Sequence, residues 1–281
     1  MEALFKAGNW KLNRRNAEGH TLLHLAAIEH RPSAMQKLLA LNADQKSKSR
    51  FGMTAADYAR LLGHIDCLFE CKQLRQSPLL IYRNADRKLH EVSPQELGQK
   101  LNFDYLDHLI FDRVCDLEWA AKKSHACLKR KNFRKMNRWI CALHEEQLMR
   151  PRVDHIYLRW IDAYLGYGIF AAKDLPALTY IGEYTGIVTV RTRKKARHND
   201  YIFGYMIGPY NSPFIIDAKK RGNLTRFINH SIEPNIISRW IVTGGITHIA
   251  FFSKQFIPKG GQLTYDYGNY YWKKRSDPMV I

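Results

Sequence analysis

The sequence predicts an α+β chain, with a helical N-terminal half and a β-rich C-terminal half. Three observations carry that reading. A repeat of 33 residues stands near the start, and an acid-free basic stretch at helical spacing follows in the middle. After Pro151 β-branched and aromatic residues alternate, broken by glycine. The boundaries expected from these shifts are 1–85, 86–150 and 151–281, and 281 residues suffice for two modest domains.

Residues 16–27 read NAEGHTLLHLAA and residues 49–60 read SRFGMTAADYAR. Gly19 and Gly52, Thr21 and Thr54, and Ala26 and Ala59 each stand 33 apart. Glycine suits a turn at positive φ, threonine caps the helix that follows, and alanine lets helices approach closely. The pattern resembles the ankyrin repeat, a turn followed by two helices, and the resemblance implies a protein partner. His24, at its place in the repeat, reads as a structural hydrogen-bonding residue. Two copies are too few to bury a core alone, so helices at Ala3–Ala7 and from about residue 93 are expected to flank them.

Residues 86–150 read as helices. Ser93-Pro94-Gln95-Glu96 forms a capping box with proline at the first helical position. No acidic residue occurs from Trp119 to His144, while Lys122, Lys123, Lys129, Arg130, Lys131, Arg134, Lys135 and Arg138 all do. Leu128, Phe133, Met136, Trp139, Ile140 and Leu143 recur at roughly helical spacing, so an amphipathic basic helix or helix pair is expected. Its charged face is either simply solvated or a docking surface, through 122–138, for DNA, an acidic protein or an anionic membrane. The net charge of +18 and pI near 9.7 favour anionic partners.

Strands are expected at 156–161, 168–171, 178–189, 201–207, 213–217, 237–242, 247–252 and 262–265. The chain has no GxSxG, Walker or HExxH motif, no apolar run of membrane-spanning length and no signal-peptide core at its start. Cysteines 67, 71, 115, 127 and 141 form no CxxC pair, which fits a soluble protein of a reducing, intracellular compartment. The polar run from Arg226 to Ser231, with Pro234 and Asn235, reads as a buried network. Tyr265, Tyr267, Tyr270, Tyr271 and Trp272 can wall a channel for a cationic group.

In order along this half come 165–172 LGYGIFAA, 182–186 GEYTG, 216–235 IDAKKRGNLTRFINHSIEPN, 249–252 IAFF and 260–268 GGQLTYDYG. Together they resemble the SET domain of protein lysine methyltransferases. The resemblance implies a β-rich fold with a threaded, knot-like C-terminal segment. It also implies S-adenosylmethionine on one face and a lysine entering from the other. Carried over by motif, Tyr167, Gly168, Tyr201, Arg226, Asn229, His230 and Trp272 would hold the cofactor. Tyr184, Tyr265 and Tyr267 would line the lysine channel, with Tyr267 in the catalytic place. The family has Phe or Tyr at the place of Tyr265, and tyrosine there implies mainly monomethyl-lysine, with Ser238 and its neighbours also setting the volume.

Three departures from the family pattern matter. Ile232 stands where many members carry cysteine, and no cysteine follows Cys141. The resemblance therefore implies no zinc, with the tail from Tyr270 closing the site by packing. Gln262 replaces the usual acidic residue. Ankyrin repeats joined to a zinc-free SET domain also resemble effectors that intracellular bacteria such as Legionella deliver into host cells, to act in nucleus or cytosol. The implied substrate is a histone or another nucleic-acid-associated protein. The competing reading is an ankyrin adaptor whose SET fold no longer turns over.

Overall fold

The computed structural model describes residues 12–68, 77–149, 153–192, 199–208 and 210–272. The helix expected at Ala3–Ala7 and the tail beyond Trp272 lie outside the described residues.

Two helix-turn units open the described chain. Helix α1 (Leu22–Ile28) is followed by α2 (Pro32–Ala40), and α3 (Ala55–Leu61) by a 3-10 turn at Ile65–Cys67. Gly19 and Gly52 take φ of +79° and +77°, the left-handed region that glycine enters without strain. The two turns stack, because the Arg50 N–H donates to the Glu18 carbonyl at 2.9 Å. A Cβ at Gly19 would lie 2.8 Å from the Arg50 nitrogen, so no larger residue fits there. His24 has the structural role expected of it. Its Nδ1 accepts from the Thr21 N–H at 3.2 Å, and its Nε2 reaches the Met53 carbonyl at 3.1 Å. Leu23, Ala26, Ala27, Ala55, Tyr58 and Ala59 form the buried seam between α1 and α3.

The helical reading of the middle region needs correction. Strands β1 (Leu79–Arg83) and β2 (Lys88–Val92) form an antiparallel hairpin that straddles residue 85. Helix begins only at α4 (Pro94–Leu101), where Ser93 and Glu96 close the expected box at 3.1 and 2.8 Å. β1 then runs parallel to β5 (Ile156–Asp162), which pairs with β6 (Gly166–Ala171), in the order β2-β1-β5-β6. Five-residue strands carry little local signal, and pairing with a strand some 75 residues away decides their conformation. Two-residue strands β3 (Asp104–Tyr105) and β4 (Ile110–Phe111) add further stitches to the C-terminal half.

The basic stretch is the expected helix pair, α5 (Val114–Leu128) and α6 (Lys131–Met149). α5 buries Leu117, Ala120, Ala121, Ser124 and Cys127, and α6 buries Phe133, Asn137 and Ile140. The expected strand 178–189 is two strands, β7 (Tyr180–Glu183) and β8 (Ile187–Val190). They part where a Cβ at Gly186 would lie 2.6 Å from the Asp217 carbonyl oxygen. Strands β9 (Ile202–Ile207) and β10 (Tyr210–Asp217) complete the sheet β4-β8-β10-β9. After β11 (Arg221–Gly222), which pairs with β3, a 3-10 turn at Leu224–Phe227 leads into β12 (Asn229–His230). Strands β13 (Ile236–Thr243) and β14 (Ile246–Ser253) form a long hairpin beside β7. Near the end, β15 (Thr264–Tyr265) lies parallel to β12 and precedes a short helix α7 (Asn269–Trp272).

Candidate active site

The site is built on the β12–β15 pairing, which sets Asn229 opposite Thr264 and His230 opposite Tyr265. Polar residues from the 220s thereby meet the tyrosines of the 260s. Asn235 fixes the crossing, since its amide donates to the Gln262 carbonyl at 2.8 Å and accepts from the Thr264 N–H at 2.9 Å. The Tyr267 N–H donates to His230 Nδ1 at 3.1 Å, and the Tyr267 hydroxyl donates to the Ile228 carbonyl at 2.8 Å.

An aromatic chain runs from this point into the core. Tyr267 and Tyr265 have ring centres 4.7 Å apart, Tyr265 and Phe251 5.0 Å, and Tyr184 and Phe203 5.0 Å. A cavity of about 550 Å³ opens against it, with Phe203, Ser238, Trp240, Tyr265, Tyr267 and Tyr271 in its wall. Tyr265 and Tyr267 are partly open to this cavity, yet they lie deep within the protein. Burial, reinforced by neighbouring tyrosines, pushes both phenols well above their ordinary range. Burial does the same at Tyr184, where the Arg226 charge only partly opposes it. Their hydroxyls are therefore neutral at physiological pH.

The cofactor residues implied by the resemblance lie on the other side of Asn229. The Asn229 amide donates to the Tyr167 carbonyl at 3.3 Å. A Cβ at Gly168 would lie 3.1 Å from Asn229 Nδ2 and 3.2 Å from Gln262 Nε2. The Arg226 guanidinium lies 3.8 Å from the Tyr201 ring centre, 4.7 Å from Phe103 and 5.1 Å from Phe227. Burial lowers its pKa, opposed by the adjacent Tyr201, but a guanidinium stays charged. Trp272 lies 4.9 Å from His230 and nearly parallel to Tyr267 at 6.3 Å.

Nε and Nη1 of Arg226, Nε2 of His230, Nε2 of Gln262 and Nε1 of Trp272 are buried without a hydrogen-bond partner. Because His230 Nδ1 accepts from the Tyr267 backbone, its proton sits on Nε2, so all five are donors. Buried donors left unmet cost about 1–3 kcal/mol each. They fit an acceptor-rich ligand, one with a carboxylate and heteroaromatic nitrogens.

The structure thus gathers Tyr167, Gly168, Asn229 and His230 with Tyr265, Tyr267 and Trp272, and it sets Arg226 on Tyr201. Tyr184 is 3% exposed, packs against Phe203 and Phe251, and lies close enough to Tyr265 and Tyr267 to help raise their phenols. Phe203, Phe214, Trp240 and the unmet Gln262 amide escaped the sequence reading. The alternation of β9, with Phe203 and Tyr205 two apart, is the one sequence clue to the first. Phe103, from the loop after α4, closes on Arg226 from the N-terminal half, and nothing in its local sequence marks it.

Residues 166–268 match the SET domain family. The same stretch is similar to histone-lysine methyltransferases. The human histone-lysine N-methyltransferase SETD2 is 42% identical over 108 residues, covering 36% of this chain and 4% of that protein. Human histone-lysine N-methyltransferase EHMT1 is 32% identical over 112 residues, covering 38% of this chain and 9% of that protein. The chain therefore spans under a tenth of the length of these two relatives. The solved structure of Arabidopsis thaliana SUVH6 in complex with SAM aligns at 27% identity, covering 43% of this chain and 29% of that one, with a TM-score of 0.39.

Proposed function

We propose that this chain is a protein lysine N-methyltransferase that uses S-adenosylmethionine, acting on a histone or another nucleic-acid-associated protein. The observation that carries this reading is the β12–β15 pairing, which brings Asn229 and His230, with the unmet His230 Nε2, against Tyr265 and Tyr267 in the wall of an aromatic cavity. Arg226, His230, Gln262 and Trp272 would hold the cofactor through its carboxylate and ring nitrogens, with Gly168 leaving room for it and Tyr201 steadying Arg226. When bound, the cofactor supplies an already activated sulfonium methyl.

The chain's own task is to hold a neutral amine in line. Lysine has a reference pKa of about 10.4, and an aromatic, water-poor wall favours its neutral form. Tyr267, protonated and held by Ile228, orients rather than abstracts. Tyr265 and Phe203 shape the space around the amine.

The N-terminal units are read as ankyrin-like repeats that recruit a protein partner, supported by turn glycines 33 residues apart and by stacked turns. The parallel β12–β15 pairing is what a threaded, knot-like C-terminal segment requires. Ankyrin-like repeats joined to a SET domain favour an effector delivered into a host cell, where nucleus and cytosol hold such substrates. Among the described residues no helix is long and apolar enough to cross a membrane.

Calorimetry with S-adenosylmethionine, followed by methyl transfer to mixed histones with labelled cofactor, tests the reading. Binding with transfer supports it; binding without transfer to any protein pool supports the adaptor.

A further inference from the structure

The basic helix pair is the largest feature that the methyl-transfer site leaves unused. All eight cations between Lys122 and Arg138 are exposed, and no carboxylate interrupts them from Trp119 to His144. The opposite faces of α5 and α6 are committed to the core through Leu117, Ala121, Phe133 and Ile140, so the charged faces point outward.

The helix pair is joined to the cavity wall at two places. Lys123 Nζ lies 5.4 Å from the Trp119 ring centre, and Trp119 packs edge-on against Phe214 at 5.3 Å. Phe214 is part of the cavity wall. From α6, the Asn137 amide bonds both polar groups of Val242, donating to its carbonyl at 2.9 Å and accepting from its N–H at 2.7 Å. Val242 belongs to β13, whose Ser238 and Trp240 line the same cavity. The helices that carry the cations therefore pack directly on the strands that frame the cavity.

We propose that the outer face of α5 and α6 docks duplex DNA to which the lysine-bearing substrate is bound. Phosphates at close spacing match a run of cations spread over two helices and their turn. The choice of DNA rests on the methyltransferase reading, because the partner must present a polyanion and a lysine side by side. A protein–DNA complex offers both, whereas a lipid surface offers only the first. Met136, Trp139 and Leu143 are exposed on a neighbouring arc of α6, apart from the cations, and an anionic membrane would engage these instead.

The test uses the full chain and a short labelled duplex, with affinity measured against salt and without cofactor. Two variants remove five charges each: Lys129, Arg130, Lys131, Arg134 and Lys135→Gln on the helix face, and Arg14, Arg15, Lys46, Lys48 and Arg50→Gln on the repeats. The face variant is expected to flatten the log–log salt slope by about 4.5, at roughly 0.9 for each of five phosphates no longer neutralised, and the repeat variant by less than about 1. Equal slopes for both variants overturn the proposal, as does tighter binding to phosphatidylserine vesicles that is lost in Trp139→Ala. In methyl transfer the face variant is expected to fall at least about tenfold on nucleosomes and to stay within about twofold on a short histone peptide, and equal losses on both count against it. If the unmutated chain binds duplex through this face yet transfers no methyl to any substrate, the methyltransferase reading fails and DNA docking stands.

Discussion

The Tyr267 hydroxyl donates to the backbone carbonyl of Ile228, one residue before the Asn229–His230 strand, over 2.8 Å. That bond ties the phenol to the chain segment that carries Arg226, Asn229 and His230. Burial keeps the phenol protonated, which makes it a hydrogen-bonding positioner across the physiological range.

Tyr267→Phe removes this hydroxyl and little else. The fold and cofactor affinity are expected to survive, with kcat falling about 10²–10³-fold, the usual loss for one well-placed donor. Calorimetry and single-turnover rates check this. A rate within about twofold of the unmutated chain would take Tyr267 out of the catalytic place.

Asn137→Leu tests what joins the helix pair to the sheet. The Val242 N–H and carbonyl, at the edge of the β13-β14-β7 sheet, both lose a partner, and the side chain that met them is 5% exposed. Two buried groups left unmet, at about 1–3 kcal/mol each, are expected to cost about 2–6 kcal/mol. The measurement is the urea midpoint at constant slope, and a loss below about 1 kcal/mol would mean that water replaces the amide.

Much of this was legible in the sequence, and for a physical reason. The repeat glycines, the Ser93 box and the Asn229–Tyr267 motifs fix local geometry through their own backbone and side-chain chemistry, so their identity carries the structure. The β1–β2 hairpin and Phe103 were not legible. Each takes its place through a distant partner, Leu158 in β5 for Ile81 and Arg226 for Phe103.

Strong chelators are expected to leave methyl transfer unchanged. Among the described residues one grouping could hold a metal ion, His30, Asp66 and Cys67, and it belongs to the helical repeats. Cys127 packs by Gly208 and Cys141 by Val242. Loss of activity in phenanthroline that zinc restores would contradict this.

Acid should loosen the repeats before it reaches the carboxylates. Burial lowers the pKa of His20, with His24 adding to the effect, and burial likewise lowers His24. A base whose folded pKa is depressed gives stability that is complete above its unfolded value of about 6.5 and is lost as pH falls. His144 and His155 act in the same direction. At His248 burial disfavours the charge, but Glu183, 2.7 Å away, outweighs it and raises the pKa. Its contribution is present below about 6.5 and fades as pH rises. Hydrogen exchange at pH 7 and 5 is therefore expected to show faster opening of α1 and α3, and a smaller change in β7, where His144 beside Tyr180 and His248 on Glu183 pull in opposite directions. Uniform protection loss would contradict the assignment.

The number of methyls added depends on Tyr265. Its ring is wedged between Tyr267 at 4.7 Å and Phe251 at 5.0 Å, and it faces the cavity that also holds Ser238. Burial keeps its phenol protonated, so it can hold a water by hydrogen bonding. That water fills volume which a growing methylammonium needs. Phenylalanine keeps the ring packing and lets the water go. The unmutated chain is therefore expected to give mainly monomethyl-lysine, and Tyr265→Phe to shift products toward di- and trimethyl-lysine with the first-methyl rate little changed. Product mass spectrometry at long incubation and excess cofactor reads this directly. Abundant trimethyl-lysine from the unmutated chain would show that Ser238 and its neighbours, rather than Tyr265, set the volume.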